Sequence, residues 1–468
     1  MIFAYFSPGK GTHEESIIDI SLLEESEVWS ECCIYRVPKK LREVKEDAYT
    51  PKLVSIGPFH HDVEELWGGK IQKHIYLKKF CSRTRKSEKD LENIIESNKE
   101  QIARSYSETS FKLNSKEFVA KILLDAIFII ELFLRNFERE KYEKLDYILS
   151  NAWIESQIKQ DLMLLENQLP LRFLQKLYKF AFDGDEVTPF LMLACQFFFS
   201  GKHRIPMHEA EVKHFTDLHR MFYCPTNQKT YPQKRTEHLR YTATKLDEAG
   251  LEFKALEDID FCKTSLLDIE LSKDKCLERY PCFNLSWLFS CLPYLRSFRC
   301  FKSVQCILKV PQLVIDDQTE ALFRNLMALE QCHYPSKTYI CNYVLLMDCL
   351  ITTKSDVCLL VEKKVIVNRR GSSTEVTTLI NKLGHMIVEP ESCYHDLYTR
   401  LNDHCDNDWN RLVASLTSVY FRDFWRGTAT ITGILVLLFT FGNFLRPLLM
   451  KHWNICNFVF VGVICFLL

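Results

Sequence analysis

Glycine is scarce. The chain has 14 in 468 residues, where the usual share of ~7% would give more than twice as many. Little material is left for phosphate loops cradled by glycine, and Gly68-Gly69-Lys70 lacks both the upstream glycine and the following hydroxyl residue of such a loop. Net charge is nearly absent: 60 Lys and Arg stand against 61 Asp and Glu, a formal net of -1. A nucleic-acid partner is therefore not expected, since such proteins carry a basic excess or stripe. Cysteines number 19, yet no two stand three apart, and every CxxC zinc or redox reading fails. There is no GxSxG nucleophile elbow. His208-Glu209 starts like a metalloprotease helix, but Val212 occupies the second histidine position. His214 and His219 are five apart and cannot face one metal from a single helix face. The expected cofactor and metal sets are both empty.

What is present is apolar. With 47% hydrophobic and 13% aromatic residues, a sizeable core is available and global disorder is excluded. The strongest signal is at 428–445, TATITGILVLLFTFGNFL, which has no charged residue. As a helix it rises about 27 Å, close to a bilayer core of about 30 Å. We expect a transmembrane helix there, with Thr428, Ile431, Leu435, Leu438, Phe441 and Leu445 along the span. Trp425, Arg426 and Arg446 would flank it. A second uncharged stretch, 454–468, follows a basic break, so the chain would cross once, or twice if this tail also spans. The opening MIFAYFSPGK has no basic region ahead of its short apolar run, unlike a secretory signal. The large N-terminal part is expected in the cytosol with reduced thiols, and the plasma membrane is favoured.

No repeat or low-complexity linker divides the rest. We read 1–30 as an irregular N-terminus, 31–425 as one large domain, and 446–468 as an apolar tail. The fold class is mainly α with a small β element (α+β), plus the C-terminal transmembrane helix. Asn114 and Glu117 form a capping box ahead of a run that is apolar around nearly its whole circumference, a central buried helix. Asp317 with Glu320 would cap a helix over 318–332, and Ser372 with Glu375 another, with Gly384 as its left-handed terminus. Residues 70–104 mix charge signs as a solvated helical hairpin does. Strand-like pieces lie at 52–56, 265–271 and 307–315, the last two suited to pairing and Pro311 to an edge or bulge. Residues 276–306 form a Cys- and aromatic-rich insert, suited to core burial or to an interfacial membrane contact.

The carboxylates are the serious enzymatic candidates. Asp125 and Glu131 fall inside the apolar helix, and Asp161 and Glu166 flank the apolar run of DLMLLENQLP. Buried acids can be tuned to act as general acid and base. They can equally satisfy backbone and amide groups, Asn167 and Gln168 included, in a structural polar network. The second reading weighs more, because no oriented nucleophile or base is visible beside them. His60-His61 would be one packed and one solvated imidazole.

Several segments carry a family resemblance. ECCIYRVPKKLREVKEDAYTPKLVSIGPFHHD at 31–62, DAIFIIELFLR at 125–135, DLMLLENQLP at 161–170, TDLHRMF at 216–222 and TATKLDEAGLEFK at 242–254 appear in order. VPQLVIDDQTEALFRNLMALEQCHYP, DVCLLV, LINKLG and WNRLVASLTSVYFRDFWRGTATITGI continue the series. Together they resemble the plant domain-of-unknown-function-247 family. The resemblance implies a plant-specific protein without an established activity, usually ending in one transmembrane helix, some of whose relatives are thought to act in recognition or signalling. It supplies no catalytic residues. The expected protein is a membrane-anchored interaction or signalling module with an unknown protein partner, and a hydrolase-like enzyme using buried carboxylates is the alternative.

Overall fold

The computed structural model describes residues 31–61, 69–108, 113–182, 188–199, 212–224, 234–235, 238–256, 265, 267–273, 306–385, 387, 391–420 and 424–449. The 276–306 insert (but for Cys306), the N-terminal thirty residues and the tail beyond 449 lie outside them.

The first half is helical. A short helix α1 (Lys39–Val44) precedes the hairpin α2 (Gly69–Thr84) and α3 (Glu88–Arg104). This is the hairpin anticipated from mixed charge, and Ser87 and Asp90 start its second arm with a reciprocal cap. The central helix α4 (Ser115–Phe137) begins at the expected Asn114–Glu117 capping box, and its second half is buried on every side. After the single turn α5 (Arg139–Tyr142) come α6 (Ala152–Asp161), α7 (Leu171–Ala181), α8 (Phe190–Phe199) and α9 (Phe215–Tyr223). Helices α2, α3 and α8 pack on α4. Ile122, Ile129, Phe133, Leu174 and Phe197 are among the buried members of their shared core.

The second half carries the strands. After β1 (Lys234–Arg235) and α10 (Ala243–Glu248), β2 (Leu251–Leu256), β3 (Glu270–Lys273) and β4 (Cys306–Pro311) form a sheet in the order β2-β4-β3. Of the expected pairing between 265–271 and 307–315, only Glu270 and Leu271 of the first piece take part, in the antiparallel β3–β4 ladder that joins 270–273 to 306–309. Pro311 is the last residue of the central strand, not part of an edge strand. Beyond it the chain enters β5 (Leu313–Ile315), which pairs in parallel with β6 (Ile366–Asn368). Helices α11 (Thr319–His333), α12 (Tyr339–Leu350) and α13 (Lys354–Glu362) come between those strands. Then follow α14 (Ser373–Leu383), β7 (Glu391–Ser392), α15 (His395–Asp406) and α16 (Asp408–Val419). A second core runs from Leu239 to Cys405, and a small one made by Val37, Tyr49, Leu165, Ala328 and Leu329 bridges the halves.

Three local expectations are corrected. Residues 52–56 form no strand, because side chains take up their amides, as described below. Asp316, not Asp317, caps α11: its Oδ1 accepts from the backbone of Gln318 and Thr319 at 3.0 and 3.1 Å. Gly384 is right-handed, not left-handed; a Cβ there would lie 2.8 Å from an Asp348 carboxylate oxygen, so a larger residue would have to push that side chain aside.

The C-terminal helix α17 (Phe424–Leu449) forms, but the expected membrane span does not hold. Among the described residues no helix is long and apolar enough to cross a membrane. Threonine, glycine and asparagine at 428, 430, 432, 433, 440, 442 and 443 dilute the apolar character of this helix. Thr430, Thr432 and Thr440 turn their hydroxyls back onto carbonyls one turn earlier, at 2.7 to 2.8 Å. Leu435, Leu438 and Phe441, named above as span residues, are exposed on this helix.

Candidate functional site

The polar cluster is built around the loop after α6. Asp161 and Asn167 face the extended segment 52–57 and bind it as a neighbouring strand would. Asp161 Oδ1 accepts from Lys52 N at 3.0 Å, and its Oδ2 accepts from Leu53 N and Val54 N at 2.6 and 2.9 Å. Asn167 continues the pattern, accepting from Ile56 N at 2.6 Å and donating to Val54 O at 2.9 Å. Gln168 donates to the carbonyls of Leu162 and Leu164 and accepts from Phe215 N. The chain then turns at Gly57, whose φ of +72° only glycine adopts easily; a Cβ there would sit 2.7 Å from Gln168 O.

Glu166 closes the other side of the segment. Its Oε1 accepts from Val37 N at 2.7 Å, and Arg42 donates to Oε2. His60 Nε2 lies 3.0 Å from the same oxygen and Arg36 Nη1 3.5 Å. Asp125, on α4, accepts from Gly57 N at 2.9 Å and pairs with Lys73 at 2.8 Å and Lys121 at 3.2 Å. Glu131 stands about 9 Å further along the helix with a different set: Arg83 at 3.1 Å and Arg135 at 2.8 Å. Arg135 in turn holds Asp146 at 2.7 Å, which also accepts from Tyr76.

All four acids are buried. Burial pushes the Asp161 carboxyl up, against the opposing effect of the three amides. Burial also acts upward on Glu166, but the contacts from His60 and Arg42 overcome it and hold that carboxyl below its ordinary value. Such divergence suits an acid–base pair only if both groups reach a substrate. Here each carboxylate is filled by its own donors, and none lines the 320 Å³ cleft described below. Of the two histidines, His60 is packed and His61 half-buried, its Nδ1 2.9 Å from Pro58 O. Among the described residues no group of three or more His, Cys, Asp or Glu could hold a metal.

A second polar joint was not anticipated. Arg220 of α9 binds Glu330 of α11 at 2.9 Å and stacks over Tyr334, whose hydroxyl donates to Asp217 at 2.9 Å. Asn325 links Leu165 N and Ala48 O. These contacts fasten the helical half to the sheet-bearing half. Their sequence signal was Arg324, Asn325 and Glu330 set among the apolar residues Phe323, Leu326, Met327 and Leu329.

The comparisons with known proteins cover residues of both halves. A family model described as a plant protein of unknown function, DUF247, matches residues 34–439. The chain belongs to this family. It is similar to the UPF0481 protein At3g47200 of Arabidopsis thaliana, 26% identical over 460 residues, covering 90% of this chain and 87% of that one. It is also similar to the putative UPF0481 protein At3g02645 of the same plant, at 23% identity over 489 residues, with 88% and 91% covered. No solved structure matches.

Proposed function

We infer that the protein is a binding module for another protein, within a recognition or signalling assembly, and not a hydrolase. The observation that supports this is the occupancy of the four acids. A general acid or base must expose an oxygen to substrate, whereas both oxygens of Asp161 and Glu166 are held by donors of their own fold. An acid so placed fixes the shape of a scaffold. The exposed apolar side chains of α17, among them Leu437 and Phe439 at 70% and 72% exposure, add an uncovered surface of the kind that marks contact sites.

Proximity labelling from the full-length chain in plant cells tests the reading. A defined set of proteins should be labelled by the native chain and lost from the Leu437→Glu/Phe439→Glu variant. Turnover of an ester, amide, phosphate or glycoside substrate by the purified protein, abolished in Glu166→Gln, would overturn it.

A further inference from the structure

A cleft of about 320 Å³ opens where the start of α7 meets the end of α3 and the chain around residues 31–33. Its floor is apolar, with Ile102, Phe173 and Val212 buried. Its charged lining is Arg172, Lys176 and Lys213, with Glu31 as the single carboxylate. Arg172 and Lys176 are four apart on one face of α7, a like-charge spacing that weakens a helix, and no acid sits in that helix's first turn. Arg172 and Lys213 both come close enough to the buried Cys33 thiol for their charges to act on it. Arg172 and Lys176 are exposed and Lys213 is half-buried, unlike the buried Lys73, Arg135 and Arg220, each of which has a carboxylate within 3 Å. Around the cleft, Lys176 donates to the neutral Asn98 at 2.6 Å, and none of the three cations forms an ion pair among the described residues.

We propose that this cleft binds a small organic anion, a carboxylate or phosphate carried on an apolar body. Three cations against the single carboxylate of Glu31 leave an excess of positive charge for an anion to offset, and the apolar floor offers a place for the rest of the molecule. The volume lies within the range of small-molecule sites, roughly 300 to 1,000 Å³. Arg172 presents a planar fork to the anion, and the two lysines act as point charges.

Calorimetric titration of the full chain with phenyl phosphate, benzoate and uncharged benzyl alcohol tests the assignment and separates its two sources. One or both anions should bind, at least tenfold more tightly than the alcohol and more weakly as salt is raised. The tighter of the two identifies the head group. The Arg172→Ala/Lys176→Ala/Lys213→Ala variant should bind at least tenfold more weakly, while Arg172→Lys/Lys213→Arg keeps most of the affinity. If the triple variant fails to fold, the exposed Lys176→Gln alone carries the comparison, with a smaller loss expected. No binding of either anion at millimolar concentration, or equal binding by the native and charge-removed proteins, contradicts the site.

Discussion

Helices α4 and α17 are both strongly apolar, yet they lie in opposite surroundings. Ile129 and Phe133 of α4 are fully enclosed, while Leu437 and Phe439 of α17 face outward. Hydrophobicity alone does not separate them. What does is charge: Asp125, Glu131 and Arg135 stand inside α4, and each finds a partner within 3 Å. A charged side chain within an apolar helix is tolerable only where the surrounding fold supplies its counterpart. The middle of α17 has no charge to pair, only threonines bonded to their own helix.

Removing one member of a buried pair in α4 should have the largest effect. Asp125→Ala strands Lys73, itself 2% exposed, and is expected to lower the unfolding free energy by about 3–5 kcal/mol in urea denaturation. Lys73→Met/Asp125→Leu should recover only part of that loss, since it removes the uncompensated lysine but still takes the acceptor from Gly57 N and Lys121. Truncating a neutral core residue comes next: Ile129→Ala should cost about 2–4 kcal/mol by the same measurement.

Acid sharpens the contrast through Glu166. In the unfolded chain its carboxyl protonates near 4.5, and in the fold only at lower pH. Its stabilising contribution is therefore complete above about pH 4.5 and lost as pH falls through the folded value. The stability difference between native protein and Glu166→Gln should shrink across that window. His214 and His219, which burial pushes down to about 3, act earlier. Both stay neutral in the fold while the unfolded chain takes up protons below about 6.5, so they weaken both proteins alike and cancel from the difference. Thermal unfolding of both proteins from pH 7 to pH 3 checks this. The smallest effect is expected in α17, where Leu437→Ala should change stability by less than about 0.5 kcal/mol; a loss comparable to that of Ile129→Ala would show that the helix is covered.

The parts legible in the sequence were those whose cause is local. Asn114 and Glu117 announced α4 because a capping box needs only four consecutive residues. The 70–104 hairpin followed from its mixed charges, and the β3–β4 ladder in part from short apolar runs. Residues 52–56 misled for a distant reason: a short, mostly apolar piece ending at Gly57-Pro58 suits a strand, but Asp161 and Asn167, more than 100 positions away, take the amides a strand would have shared. The four acids could be named as buried from their apolar neighbours, but Arg83, Lys73 and Arg42 come from other elements that only the fold brings near. Residues 428–445 looked long enough to span a bilayer because an uncharged run hides its threonines and glycines. The cations of the α7 cleft left no trace beyond one i, i+4 pair.

The account rests on the acids being structural, and isosteric amides test this most directly. Asp125→Asn, Glu131→Gln, Asp161→Asn and Glu166→Gln preserve shape while removing charge and placing an NH₂ where an acceptor is needed. Urea unfolding of the four, side by side, should show each less stable than the native protein by about 2–4 kcal/mol. A catalytic acid held in place at the expense of stability behaves in the opposite way: any of the four that unfolds at equal or higher urea than the native chain would contradict the structural role for that residue.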